Sequence, residues 1–404
     1  MRRAMIRRLH NPVRRYAWGS VDAIPALLGV PPDGGPQAEL WLGAHERAAS
    51  RVLAGEERVS LLDLVRADPA RELGPSWAAE GRLPFLAKVL ATAEPLSLQV
   101  HPDAALAARG YADEEARRVD RDLGTRSFPD AVAKVEMVWA LSEFRALCGF
   151  RPAAETVAWL ERLDVAALKP TAETLREHGE TALHGEVARL LRLERPAEAV
   201  ATVRARADVL ESDPRWGVSA RVAAGLATRY PRDPAVCLAL LLRPVVLAAG
   251  EAMEVRPGQP HSYLSGTAVE VQANSDNVLR AGLTTKHVDV DLLLRALDTT
   301  APDDGTRATF VPQQRGEEQV FAPDTDRFAL AVLHRAEGGA PLPAVSGPQV
   351  FLCLDGDFRL QEDHDDLHLG RGQAAYVSAA HDEVRVRGAG TLLRVTTGRR
   401  EQHS

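Results

Sequence analysis

At 404 residues the chain exceeds what one compact hydrophobic core organises, so two or three domains are expected. Apolar residues make up 45% and charged residues 26%, ordinary proportions for a globular protein in water. A formal net charge of -7 argues against a broad basic face for nucleic acid, and the best apolar run, Ala235 to Ala249, is broken by Arg243 and Pro244, so no membrane span is expected.

The first residues carry Arg2, Arg3, Arg7, Arg8, Arg14 and Arg15 but no apolar signal core or cleavage site. Residues 1 to about 150 then read as mostly strand, with turns such as Pro31-Pro32-Asp33-Gly34-Gly35 and helical stretches near Leu61 to Glu72 and Ala104 to Asp122. In LSLQVHP, period two sends Leu96, Leu98 and Val100 one way and Ser97, Gln99 and His101 the other. Such a polar face suits a cavity wall, a solvated outer face being the alternative; Pro102 ends the strand and leaves His101 at its rim. DAVAKVEMVWAL repeats the pattern, with Lys134 and Glu136 on one face among apolar neighbours. Either these two form a surface ion pair, or Glu136 ligates a metal beside a working Lys134.

From about 152 the texture becomes helical: Ala153 to Leu163, Gly185 to Glu194, Ala197 to Leu210 and Val218 to Arg229 are rich in Ala, Leu, Glu and Arg at helical spacing. From about 246 strands return. RPGQPHSYLSG places His261 in a turn shaped by proline and glycine. GEAMEVRPGQPH (Gly250 to His261) echoes GQAAYVSAAH (Gly372 to His381), and each is followed by an alternating strand, Thr267 to Gln272 and Gly390 to Val395, as a repeated β unit would be. Gln99, His101, Glu136 and His261 would together offer two nitrogens and two oxygens, a set that suits zinc, with manganese, cobalt or iron as alternatives.

Two counts bear on chemistry. Only four lysines, Lys88, Lys134, Lys169 and Lys286, stand against 45 arginines. A lysine kept in such a chain suits a place needing a compact ammonium or a tunable pKa, chance survival being the alternative for any one of them. Cys148, Cys237 and Cys353 form no Cys-x-x-Cys pair and read as reduced thiols of a cytoplasmic protein.

In NPVRRYAWGS (Asn11 to Ser20), ELWLGAH (Glu39 to His45), PFLAKVLATAEPLSLQVHPD (Pro84 to Asp103), KVEM (Lys134 to Met137), ALCGFRP (Ala146 to Pro152), PGQPHSYLSG (Pro257 to Gly266) and SDNVLRAGLTTKHVDV (Ser275 to Val290), the chain resembles the type I mannose-6-phosphate isomerases. The blocks stand in the family's order over most of the first 290 residues. The resemblance implies a mainly β fold with an α insert, made of two cupin-type jelly-roll domains and a small helical domain. Residues 1–150 with 241–300 would form the metal-binding cupin domain, 151–240 the helical domain, and 301–404 a C-terminal jelly roll without a metal site.

The same resemblance implies one Zn2+ per subunit held by Gln99, His101, Glu136 and His261. Arg280, Lys134 and Asp276 would be catalytic, and Trp18, Lys88, Ser97 and Glu270 would line the sugar-phosphate pocket. The implied reaction interconverts mannose 6-phosphate and fructose 6-phosphate through a cis-enediol, in a cytoplasmic monomer with a phosphorylated hexose as its partner. Lys134 would move the proton, its ammonium disfavoured by burial and zinc; Arg280 would meet the enediolate or the phosphate. The chain departs from the family at Val132-Ala133-Lys134-Val135-Glu136, where relatives usually have Asn-His-Lys-Pro-Glu, which puts substrate preference in question. An isomerase or epimerase of a related phosphorylated sugar, and a sugar-binding metal cupin without turnover, are therefore the rival readings; a cupin oxygenase would want iron held mainly by histidines. Glu270 and Gln272 would be solvated if not functional, Lys286 structural and His45 a hydrogen-bonded packing residue. His287, His364, His368 and His381 have no ligand-like company.

Overall fold

A computed structural model describes residues 6–54, 57–120, 123–300, 310–336, 342–362, 365–380 and 383–398. Two large antiparallel sheets, of ten and eight strands, carry most of the chain. The ten-stranded sheet is organised by one long strand, His261–Ala273. Its first arm pairs with Leu98–Val100 and Phe144–Phe150; its second arm pairs with Phe85–Thr92 and Glu136–Ala140. The register slips between Tyr263 and Ser265, and at Gly266 φ is 110°, where a Cβ would sit 2.3 Å from the Glu143 carbonyl. No side chain fits there, so glycine lets one strand turn the corner between two walls.

The alternation along these strands decides what each face meets. Leu98 and Val100 point into the helical block together with Leu147, Phe150, Leu279 and Ala281. Met137, Trp139, Val269 and Val271 point outward from the second wall and pack against Leu330, Val332, Val350, Leu352, Leu393 and Val395 of the eight-stranded sheet. Between the two walls, near the Gly266 corner, Leu90, Val138, Ala140, Phe144, Tyr263 and Ala268 fill the interior. The other end of that interior is polar and forms the site described below. In the eight-stranded sheet the enclosed space is apolar throughout its cluster, with Phe351, Phe358, Leu360, Val377, Val386 and Leu392 at its centre.

The helical block comprises Ala153–Leu163, Lys169–His178, Leu183–Leu191, Pro196–Leu210, Gly217–Arg229 and Ala235–Ala239. Four of these fall on the periodic segments of the sequence. Lys169–His178 and the five-residue Ala235–Ala239 do not: the first has Pro170 in its opening turn and a short apolar stripe, Ala172 and Leu175, and both are too brief for periodicity to register. The internal echo maps to strands Ala252–Val255 and Ala374–Val377, one in each large sheet. Strand Ile6–Leu9 departs from the expected division of the chain, because it pairs with Ala374–Val377 in the C-terminal sheet. Arg7 on that strand makes a buried two-pronged ion pair with Glu72 at 2.8 and 3.0 Å, and Tyr376 donates to the Glu72 carbonyl at 2.8 Å. Among the described residues no helix is long and apolar enough to cross a membrane. The three cysteines are free, and burial pushes each thiol up to about 12.

Candidate functional site

Sheet register builds the first half of the site. Gln99, at the centre of Leu98–Val100, stands directly opposite His261 on one side and Arg280 on the other, so all three side chains leave the same face of the first wall. His101 follows two residues after Gln99. From the second wall comes Glu136, opposite Gln272 of the long strand. The corner at Gly266 brings the walls together, and the ligating atoms of His101, Glu136 and His261 lie within 4.8 Å of one another. Glu136 Oε2 is 3.3 Å from His101 Nε2 and 3.6 Å from His261 Nε2, and the two imidazole centroids are 4.8 Å apart.

Hydrogen bonds set the tautomers. His101 Nδ1 is 2.9 Å from the Asn277 carbonyl and His261 Nδ1 is 3.0 Å from the Gln259 carbonyl. A carbonyl only accepts, so each Nδ1 carries the proton and each neutral ring turns an Nε2 lone pair inward. Among the described residues neither buried Nε2 atom has a hydrogen-bond partner. Two buried acceptors aimed at one carboxylate oxygen repel it unless a cation lies between them, so this donor set fits a divalent metal. Gln99, half-buried in the same row, can add a neutral oxygen.

The electrostatics agree. Burial would raise the Glu136 carboxyl, yet the Lys134 ammonium, 2.7 Å from Oε1, holds it well below the ordinary range. Burial pushes His101 down to about 4, against the pull of Glu136. The buried Tyr263 hydroxyl donates to Glu136 Oε2 at 3.3 Å and is pushed well above its usual value by burial and by that carboxylate. Both His101 and Glu136 therefore make acid destabilising. The unfolded chain takes a proton on this histidine below about 6.5, whereas the folded chain resists until about 4; Glu136 stabilises above the ordinary carboxylate range and loses that contribution as pH falls. The metal-free protein should thus show a Tm falling steadily from pH 6.5 to 4, and His101→Asn should flatten the upper part of that fall; scanning calorimetry against pH checks it.

Further along the second wall Lys88 is buried and donates to Glu270 at 2.7 Å and to Gln272 at 2.6 Å. Burial would lower this ammonium, but Glu270, Glu39 and Glu136 raise it above its ordinary value. Glu270 is itself raised, by burial first and by the Glu136 charge, against Lys88. Neither Glu270 nor Gln272 is solvated: strand alternation does send them to one face, but that face is the interior. Trp18 joins this group through a stack, with Trp18 on Tyr16 at 5.7 Å, Arg14 over Tyr16 and Trp41 at 5.8 and 5.4 Å, and Lys88 over Trp41 at 5.5 Å. Ser97 is half-buried two residues before Gln99, beside Leu96, whose N–H donates to the Tyr263 carbonyl.

The SDN segment works as a clasp. Asn277 gives its carbonyl to His101 while its side chain donates to the carbonyls of Asp130 and Val132, both at 2.8 Å; Ser275 Oγ donates to the Val132 carbonyl at 3.1 Å. It thereby fixes the loop that carries Lys134 to the ring that faces it. Asp276 meets His45 and Arg47, at 3.4 and 3.0 Å. His45 is the buried packing residue expected, edge-on to Trp41 at 4.9 Å. Asn277, Tyr263 and Arg47 carried no role in the sequence analysis. Tyr263 carried a signal, being two residues from His261 on one strand face. Lys286 and His287 are exposed, and His368 bonds Asp357. His364 and His381 lie outside the described residues. A cavity of about 340 Å3 opens elsewhere, between Gly217–Arg229 and the strands of Arg145, Val245 and Leu264, with none of this chemistry in its lining.

Comparison with known proteins gives concordant matches. Residues 6–153 match the family model of the phosphomannose isomerase type I catalytic domain. A mannose-6-phosphate isomerase of Escherichia coli is 36% identical over 396 residues, covering 96% of this chain and 99% of that one. One of Arabidopsis thaliana is 29% identical, covering 96% and 93%. Among solved structures, a mutant phosphomannose isomerase from Salmonella typhimurium superposes with a TM-score of 0.91 at 34% identity, covering 98% of this chain and all of that one. A zinc-bound mannose 6-phosphate isomerase does so at 0.90 and 34%, with the same coverage.

Proposed function

The chain belongs to the mannose-6-phosphate isomerase family and is an isomerase, and from that premise we propose that it interconverts mannose 6-phosphate and fructose 6-phosphate through a cis-enediol, using one zinc ion per subunit. The observation that carries the zinc reading is the pair of buried, partnerless Nε2 atoms facing one Glu136 oxygen. His101, Glu136 and His261, with Gln99, would hold the ion, and when bound it would supply a Lewis acid for oxygens of the sugar. The relation to a zinc-bound neighbour supports that choice over other divalent metals.

The chain's own residues supply the rest. Lys134 would move the proton between C1 and C2, and its Nζ 2.7 Å from Glu136 Oε1 supports that role. Arg280, on the same wall face as Gln99, offers a permanently charged planar donor set to the developing oxyanion. Lys88 and Glu270 form a pre-organised pair that can exchange hydrogen bonds with sugar hydroxyls, and Ser97 and Trp18 extend that lining. Both walls exclude water from this end: Glu136, Lys134, Lys88 and Glu270 are all at least 92% buried. The same reading takes the two large sheets as cupin-type jelly rolls, the first bearing the site and the second acting as scaffold, with the helical block at 151–240 between strands of the first. An enzyme working in the cytoplasm as a monomer fits this reading.

Retention of Lys134, Arg280 and the Lys88–Glu270 pair beside the ligands favours turnover over mere sugar binding. The change to Val132-Ala133 keeps one rival in view, a related phosphorylated sugar as the preferred substrate. A coupled assay on mannose 6-phosphate decides both. Turnover should vanish after chelation and return with zinc; activity that survives complete zinc removal would refute the metal reading, and faster turnover of another hexose phosphate would move the substrate assignment.

A further inference from the structure

Arg47 lies in the loop after strand Glu39–Leu42, and its Nε is 3.0 Å from Asp276 Oδ2. The other Asp276 oxygen faces His45 Nε2 at 3.4 Å, and the Asp276 backbone N–H donates to Asp130 Oδ2 at 2.9 Å. Asp276 is therefore anchored on three sides, and its free oxygens are spent on His45 and Arg47. Burial would raise its carboxyl, but the bond to His45 and the charges of His45, Arg47 and Lys134 hold it well below the ordinary range, which makes it a poor base. Arg47 itself has its side chain 57% exposed. Arg280 stands opposite Gln99 on the first wall, and Asp276, which holds Arg47, precedes Asn277, whose carbonyl meets His101, so both guanidiniums border the site. Burial, and then the Arg47 charge, lower Arg280. The interior beyond them holds the carboxylates of Glu39, Glu136 and Glu270.

That polarity orients a ligand with one anionic end. Its neutral hydroxyls suit the carboxylate-lined interior, and its anion suits the bordering guanidiniums. We propose that Arg47 binds the phosphate of the substrate and that Asp276 is a positioning residue holding Arg47 in place. The inference rests on the mannose 6-phosphate reading and deepens it, adding a guanidinium whose planar fork matches two phosphate oxygens. It also reassigns Asp276 away from proton transfer, because an ion-paired carboxylate with both oxygens engaged has no reason to leave them.

The test uses the zinc-loaded full chain with Arg47→Ala, Arg47→Lys and Asp276→Asn. Arg47→Ala should raise KM for mannose 6-phosphate roughly tenfold or more with kcat little changed, as loss of a charge-assisted hydrogen bond made equally in ground and transition states requires. Arg47→Lys should recover part of the loss. Asp276→Asn should shift KM in the same direction, and the double variant should be no worse than Arg47→Ala alone. Inorganic phosphate, titrated by calorimetry, should bind several-fold more weakly to Arg47→Ala. That titration needs no turnover, so it judges Arg47 even on a chain that fails to isomerise mannose 6-phosphate. Undiminished phosphate affinity in Arg47→Ala, or a collapse of kcat at constant KM in Asp276→Asn, overturns the assignment.

Discussion

Glu136→Gln should abolish turnover, lowering kcat/KM by about a thousandfold or more, and should leave purified protein with well under one zinc per chain. The amide is isosteric but uncharged, so it removes the negative charge from the carboxylate whose Oε2 faces both imidazole Nε2 atoms. The same change strips Lys134 of its partner at 2.7 Å inside a site where both groups are buried. Removing one member of a buried pair costs about 3–5 kcal/mol because the other charge is left uncompensated. Metal-free Glu136→Gln should accordingly melt earlier than the metal-free parent, and adding Lys134→Met should restore part of the difference. Zinc content by plasma mass spectrometry and Tm by calorimetry separate the two effects. Full zinc occupancy with ordinary turnover in Glu136→Gln would remove this carboxylate from the ligand set.

Lys134→Met should retain zinc yet lose about 10^2 to 10^4 in kcat, the range for a positioned acid–base group. Exchange of the substrate C2 proton in deuterated water should fall by the same factor, since that exchange reports the proton step without requiring net conversion. Lys134→Arg should not rescue it, because guanidinium keeps the charge but neither the compact geometry nor the ability to deprotonate. A metal-loaded Lys134→Met enzyme with near-native exchange would reduce Lys134 to a structural counter-ion of Glu136.

Local pattern carried the strands and most helices. Leu98 and Val100 against Gln99 is a period-two signal that survives intact in the fold, and four helices between Ala153 and Arg229 follow their apolar spacing. Convergence was legible only through resemblance, because His101, Glu136 and His261 are brought together by a corner at Gly266, and no local rule reads a corner from one glycine. The same limit explains Glu270 and Gln272. Alternation says that they share a face but not whether that face meets water or Lys88, which lies 182 residues from Glu270. Asn277 was hidden for another reason: it acts on His101 through a backbone carbonyl, which has no side-chain signature. Strand Ile6–Leu9 gave no hint of its distant partner, since four residues encode a propensity but no address.

That last pairing sets a timetable for biosynthesis. Ile6–Leu9 is made some 368 residues ahead of its hydrogen-bonding partner Ala374–Val377. At ordinary elongation rates of ~5–20 residues per second the strand waits roughly 20–70 s with an open edge. Closing the C-terminal sheet is therefore a late event that draws both halves of the polypeptide into one seam. A bulky fusion placed just ahead of Ile6 would burden that seam, and so the sheet farthest from it in sequence, before it touched the end that holds His101, Glu136 and His261.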